Sequence, residues 1–422
     1  MKIIILIFLI SAALSAQPGW IQQVSGTSQN LNSVFFLDVN TGFIAANNGI
    51  FLKTTNGGIN WILIATGSNM NLYQILFVNS TTGFAATDTN IIRTSNSGVT
   101  WNISIIGGGR SISFINLTTG YALKGWQTLM KSTDSGLNWV QAGIIPTTWG
   151  VDRILFRNEN TGYAGNKWYY NYPVPYYLSS IDKTTNSGVN WVLKYGSGMS
   201  TGAYISDIFF LNDLFGSSVH TIMNLQTHFY FSKSTNAGES WNLVELTEQM
   251  NSVRFTDTNN GWTCGMNGII LRSFNGGNNW TTQVSNVSTR LNSVFMVTQN
   301  TGWIAGNNGV ILKTTNGGVL AVSPVSNEIP QQFSLSQNYP NPFNPLTKIR
   351  FSIPGVDAEG GRGVLLTIYD ALGREIQTLV NEQLQPGTYK VEFDGRNFSS
   401  GVYYYTLSSR NYFETKRMVL IK

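Results

Sequence analysis

Read as hydrophobic and polar positions, the chain is a succession of short apolar runs broken by turns rich in Gly, Asn and Thr. That pattern belongs to β-strands and not to helices. Four such runs surround the stretch Lys53–Trp61, KTTNGGINW. Strand A is expected near Ser33–Leu37, B near Phe43–Ala46, C near Ile50–Thr54 and D near Asn60–Ile64, with the stretch itself forming the C–D turn. The stretch recurs at Arg93, Lys131, Lys183, Lys233, Arg272 and Lys313, in steps of 40, 38, 52, 50, 39 and 41 residues. A second landmark, Thr-Gly-aromatic in most copies, precedes each one, as in Thr41-Gly42-Phe43 and Thr301-Gly302-Trp303. Short strands repeating at about forty residues predict a β-propeller with one four-stranded blade per unit.

The seventh copy stops at Gly318, before its Trp. Trp20-Ile21-Gln22-Gln23-Val24-Ser25 resembles Trp280-Thr281-Thr282-Gln283-Val284-Ser285, and both lead into Leu-Asn-Ser-Val-Phe. The N-terminal stretch is therefore expected to supply strand D of the last blade, closing seven blades over residues 17–319 and leaving no open sheet edge. Each turn carries one Asx residue able to bond nearby amides: Asn56, Asn96, Asp134, Asn186, Asn236, Asn275 and Asn316. These turns resemble the Asp-box (BNR) repeat of sialidases, sortilin-type receptors and the photosystem II assembly/stability factor family. The landmark and the forty-residue step are most similar to that last, non-enzymatic family. Asn replaces Asp in all copies but one, a departure expected to leave the turn intact.

After Gly318 the chain changes character. Residues 320–332 read as a linker, and from 331 onward 18 of 92 residues are charged, against 29 of 330 before. Apolar runs at Lys348–Ile353, Val364–Tyr369, Tyr389–Phe393, Val402–Ser408 and Arg417–Ile421 predict a small Ig-like β-sandwich over 333–422. Its Asn338-Tyr339-Pro340-Asn341-Pro342, Gly387-Thr388-Tyr389, Gly401-Val402-Tyr403, and the end Lys416 to Lys422 resemble the type IX secretion system type A sorting domain. That resemblance implies export through the periplasm, recognition by the outer-membrane translocon and its sorting protease, and surface attachment or release. The N-terminus fits the same route. Lys2, the apolar run Ile3–Ile10 and the small residues of Ala13-Leu14-Ser15-Ala16 read as a signal peptide over 1–16.

Composition narrows the chemistry. Only 11% of residues are charged and the net charge of +5 is spread thinly, so no nucleic-acid footprint is expected. A single Cys264 excludes an internal disulfide framework. His220 and His228 show no carboxylate or thiol close by in the sequence, so neither a metal nor a cofactor is expected. No stretch after the leader is apolar for long enough to span a bilayer as a helix.

Antiparallel order puts the C–D turns and A–B loops on one face and the B–C and D–A loops on the other. From landmark Gly to motif Lys or Arg the spacing is 10 or 11 residues in most blades but 21 and 17 in blades 4 and 5, so the extra length belongs to two neighbouring B–C hairpins. Three tryptophans have no repeat equivalent: Trp126, Trp149 and Trp168. With Tyr169, Tyr170, Tyr172, Tyr176 and Tyr177 they are expected to form an aromatic platform on the B–C face for a glycan, peptide or protein ligand. The competing expectation is that these aromatics fold back onto their neighbours. The residues read as a non-catalytic binding or scaffold protein. The alternatives are a periplasmic assembly factor and a sialidase-like hydrolase, which would need three arginines and two carboxylates converging at the central channel.

Overall fold

A computed structural model of the chain shows an all-β protein of two compact units, Trp20–Gly318 and a C-terminal unit beginning at Val319. It describes residues 19–65, 69–146, 150–171, 175–196, 202–223, 226–318, 323–326, 329–355, 362–395, 398–410 and 412–422. The first unit is a seven-bladed β-propeller of seven four-stranded antiparallel sheets. In blade 1 the strands are Leu31–Phe36, Gly42–Ala46, Ile50–Thr54 and Ile62–Ala65. Strand A thus begins two residues earlier than the apolar pattern indicates, because a bulge between Leu31 and Ser33 absorbs the break in alternation. Strand D starts just after Trp61, whose ring packs in the seam between blades 7 and 1.

The two sequence landmarks build the wedge between blades. The aromatic after the landmark Gly lies flat on the strand-A aromatic of the next blade: Phe43 on Phe77 at 3.8 Å, Phe84 on Phe114 at 4.3 Å, Tyr121 on Phe156 at 3.5 Å, Tyr163 on Phe210 at 4.0 Å, and Trp303 on Phe36 at 3.5 Å. The turn motif is held by its own side chains. Thr54 Oγ1 donates to Asn56 Oδ1 at 3.0 Å and accepts the Gly58 amide at 2.9 Å, while Asn56 Oδ1 accepts the Asn60 amide at 3.0 Å. Asp134 makes the same bonds through one oxygen, so an amide and a carboxylate serve the turn equally. Gly98 is required twice over. Its φ is +82°, and a Cβ there would lie 2.6 Å from the Phe51 ring of the previous blade.

Two hydrogen-bonded belts then run round the ring. On the C–D face the motif's basic residue donates to a carbonyl of the next blade's turn, as in Lys53 Nζ to Ser97 O at 3.1 Å, Lys183 Nζ to Ala237 O at 2.8 Å and Lys313 Nζ to Gly57 O at 2.8 Å. Along the channel wall, Ser293, Ser33, Gln74, Ser111, Asp207 and Ser252 each accept the strand-A amide of the next blade, at 3.0–3.3 Å. The ring closes at the N-terminal strand. Ile21, Gln22 and Gln23 pair with Lys313, Leu312 and Ile311, and Trp20 is buried with its Nε1 donating to Gln283 Oε1 at 2.8 Å.

The second unit is a sandwich of two four-stranded sheets. One orders Ser323–Ser326, Gly387–Asp394, Leu346–Ile353 and Ser334–Leu335; the other orders Glu375–Leu384, Arg362–Tyr369, Gly401–Ser409 and Tyr412–Leu420. Ile349, Phe351, Leu366, Ile368, Phe393, Tyr405 and Leu407 fill the space between them. The stretch read as a linker contributes a strand here, since Ser323 pairs with Lys390 and Pro324 with Tyr389. Its Pro escaped the strand reading, but Pro is compatible with an edge strand, which is where it sits. The Glu375–Leu384 strand was also missed, its charged and amide residues masking the alternation.

Candidate functional site

The B–C face carries the extra chain length. Blade 4 pairs long strands Gly162–Asn171 and Pro175–Thr184, and blade 5 pairs Gly216–Met223 with Thr227–Ser234. Of the aromatic platform, Trp149 and Tyr172 lie outside the described residues, as do the side chains of Trp168, Tyr169, Tyr170, Tyr176 and Tyr177. Trp126 is described and stands 72% exposed. Its carbonyl accepts the Val151 amide at 2.9 Å, which puts it beside the D–A segment that enters blade 4, on the expected face.

The same face holds a feature that sequence reading did not assemble. A cleft of about 490 Å³ opens at the mouth of the central channel, lined by Asn32, Tyr73, Arg110, Asp152, Arg153, Tyr204, Asn251, Arg290 and Asn292 among others. It shares Asn32, Arg153, Asn251 and Asn292 with a deeper channel space of about 570 Å³, walled by strand-A side chains including Phe35, Ile75, Phe77, Phe209, Asp207 and Arg254. Four arginines scattered over 180 residues of sequence thus meet at one channel because each sits on an innermost strand or the loop entering it. No local motif could reveal that; only the alignment of strand-A positions between repeats could.

The charges are arranged as a network. Asp207 is buried and accepts Arg254 Nη1 at 2.6 Å, Ser252 Oγ at 3.0 Å and the Val253 amide at 3.1 Å, with Arg153 Nε 4.0 Å away. Arg290 donates to Asn251 Oδ1 at 2.9 Å, and Arg110 lies over the Tyr73 ring at 4.3 Å. Such a mouth presents donor-rich guanidinium groups above an apolar shaft, a setting suited to anionic or amide-bearing ligands.

Both histidines sit on the blade 5 B–C hairpin. His220, paired with Tyr230 across its two strands, is buried in the seam between blades 4 and 5, with Nε2 3.1 Å from Tyr195 Oη and its ring 5.6 Å from that of Tyr230. His228 does have a carboxylate partner, Glu245 Oε1 at 2.6 Å, supplied by the neighbouring strand and so invisible to local sequence. Cys264 is fully buried, and burial pushes its thiol well above the usual range. No cluster of three metal-ligating groups occurs among the described residues, and none of their helices is long and apolar enough to cross a membrane.

The residues expected to form the sorting motif include several internal braces. The Asn338 amide donates to Tyr405 Oη at 2.8 Å and its Nδ2 to Pro340 O and Thr347 Oγ1, both at 3.0 Å. Asn341 Oδ1 accepts the Val419 amide at 2.9 Å. Tyr389 and Tyr403, two residues after Gly387 and Gly401, each donate to the carbonyl four residues back, Gln385 at 2.6 Å and Ser399 at 2.7 Å. Pro342 leads into Phe343, which is buried in the sandwich core. Lys416, paired with Glu414 at 2.9 Å, and exposed Lys422 remain at the surface.

Comparison with known proteins agrees with both units. Residues 233–334 match the family model described as photosynthesis system II assembly factor YCF48, and residues 337–422 that of the secretion system C-terminal sorting domain. No curated protein sequence matches the chain. Among solved structures, "YCF48 bound to D1 peptide" is 18% identical with a TM-score of 0.52, over 72% of this chain and 99% of that one. YCF48 from Cyanidioschyzon merolae is 18% identical with a TM-score of 0.54, over 70% and 98%. The extracellular domain of the one-component system BT4673 from B. thetaiotaomicron is 12% identical with a TM-score of 0.54, over 96% of this chain and 60% of that one. The sorting-domain match supports export to the cell surface or medium. The chain is therefore similar to YCF48 in the fold of its propeller and in the sequence of residues 233–334, and it ends in a segment that resembles a secretion-system sorting domain.

Proposed function

We propose that the propeller is a non-catalytic binding module, exported by the type IX translocon through its C-terminal domain, that takes an extended peptide across the B–C face. The observation that carries this reading is the coincidence, on one face, of exposed Trp126 with the arginine-rich channel mouth. An aromatic anchor beside directional donors suits a chain with apolar side chains and backbone or carboxylate acceptors. A solved structure of similar fold holds a peptide, which favours that ligand class over a glycan.

The test is binding of the full chain to an array of short peptides with free or amidated C-termini, alongside a glycan array. Trp126→Ala is expected to weaken peptide binding roughly tenfold, and Arg290→Ala by a similar factor, with the fold unchanged by circular dichroism. Unaltered binding in both variants would place the ligand elsewhere, and binding only to glycans would replace the peptide.

A hydrolase is the second reading, because Arg110, Arg153, Arg254 and Arg290 do line the channel together with Asp152 and Asp207. The local chemistry argues against it. Asp207 is already engaged by a guanidinium, a hydroxyl and a backbone amide, so its carboxylate is committed to the channel wall and not turned towards a reacting group. We expect no release of fluorophore from an aryl sialoside by the full chain. Release that vanishes in Asp207→Asn would establish the hydrolase instead. Retention in the periplasm with the C-terminal domain intact would favour an assembly factor over a surface protein.

A further inference from the structure

We propose that the ring has a hinge at the seam between blades 4 and 5, pinned on the C–D face and able to widen the channel mouth on the B–C face. The channel-wall belt carries an acceptor at six of its seven junctions, and at the seventh the equivalent residue is Arg153. A guanidinium has donors only, so it cannot take the Ile208 amide that this register offers. Its nearest anion, Asp207, is 4.0 Å away and already held by Arg254 at 2.6 Å.

The seam's interior differs in the same sense. Ser218 and Ser232 stand where Ile44 and Leu52 fill the seam between blades 7 and 1, and His220 stands where Ala46 does. All three are buried, and Ser218 Oγ, Ser232 Oγ and His220 Nδ1 have no hydrogen-bond partner among the described residues. Opening this seam to water would solvate these atoms, whereas opening an aliphatic seam would only expose apolar surface.

The C–D edge of the same seam is tied by two ion pairs to one carboxylate and by a tyrosine hydroxyl. Glu239 receives Lys183 and Lys194, each at 2.6 Å, and Tyr163 Oη donates to Ala237 O at 2.7 Å. A seam that lacks its channel-wall bond at one edge and is pinned at the other moves as a hinge, and the edge without that bond lies at the channel mouth, where Arg153 stands. The proposal is independent of what the mouth binds.

Hydrogen exchange on the full chain, without any ligand, tests it. Strand A of blades 4 and 5, Val151–Phe156 and Gly202–Phe210, should exchange roughly fivefold or more faster than strand A of blades 1 and 2, Leu31–Phe36 and Leu72–Phe77, since a single hydrogen bond is worth about that factor. Arg153→Gln supplies the acceptor that Gln74 provides at the junction of blades 2 and 3, and should slow exchange of Gly202–Phe210 towards the rate of the other blades. Arg153→Lys, still donor-only, should leave it fast. Equal protection in all four strands would overturn the hinge, as would a Gln variant that exchanges as fast as the Lys variant. Fastest exchange at Ile21–Gln23 and Ile311–Thr314 would place the opening at the closure strand instead.

Discussion

Trp20→Ala is expected to lower the stability of the propeller by about 3–5 kcal/mol, the cost of emptying a fully buried Trp site. Trp20 is 1% exposed and packs with Trp262, Leu291, Ile304 and Leu312, side chains of the last two blades. It also leaves Gln283 Oε1 without its donor. The penalty is larger than a local one, because Trp20 anchors the three-residue strand Ile21–Gln23 on Lys313, Leu312 and Ile311. Without that strand, blade 7 presents the edge of Ile311–Thr314 to solvent, and the seam with blade 1 loses its outer support. Urea unfolding followed by tryptophan fluorescence measures the loss. Trp126→Ala is the control, since a side chain 72% exposed should change stability by less than about 0.5 kcal/mol. A Trp20 variant as stable as the Trp126 variant would mean that the ring does not depend on its N-terminal strand.

The parts of this fold that could be read in the sequence are those enforced identically in every blade. A turn whose hydroxyl and amide side chains close on themselves leaves a fixed string of residue types, and so does a Gly pressed against the neighbouring blade's aromatic. Copies of such strings give the blade number, and the absence of one Trp gives the closure. The same logic made the sandwich legible. Asn338, Tyr389 and Tyr403 are internal braces whose roles demand those side chains.

What escaped is where geometry is shared but residue type is not. The channel-wall belt accepts equally well with Ser, Gln or Asp, so it leaves no motif. Its one interruption, Arg153, is visible only once the strand-A registers are laid side by side. The arginines of the channel escaped for the same reason. Arg110, Arg153, Arg254 and Arg290 stand singly in the sequence and meet only through the ring. The Glu245 partner of His228 escaped because cross-strand pairing joins residues 17 apart.

Acidification should weaken the propeller through His220, by about 2 kcal/mol between pH 7 and pH 5. Burial pushes the His220 imidazole down from its ordinary 6.5 to about 3. The residue is 2% exposed, and its surroundings are the Tyr195 hydroxyl and the Tyr230 ring, neither of which supplies negative charge to an imidazolium. The unfolded chain therefore takes up this proton near pH 6.5 while the folded protein refuses it. Above pH 6.5 neither state is protonated and His220 contributes no pH dependence. Below it, stability falls by about 1.4 kcal/mol per pH unit, flattening near pH 3 where the folded state also accepts the proton. Other groups titrate over the same range, so the measurement is a difference. Urea midpoints of the wild type and of His220→Phe are compared at pH 7 and pH 5. The variant loses the Tyr195 contact at both pH values but has nothing to protonate at this position. Its stability should therefore fall less on acidification than that of the wild type, by about 2 kcal/mol. Parallel pH profiles would mean that the seam admits the charged form of His220, through water or a rearrangement that brings Glu245 to it.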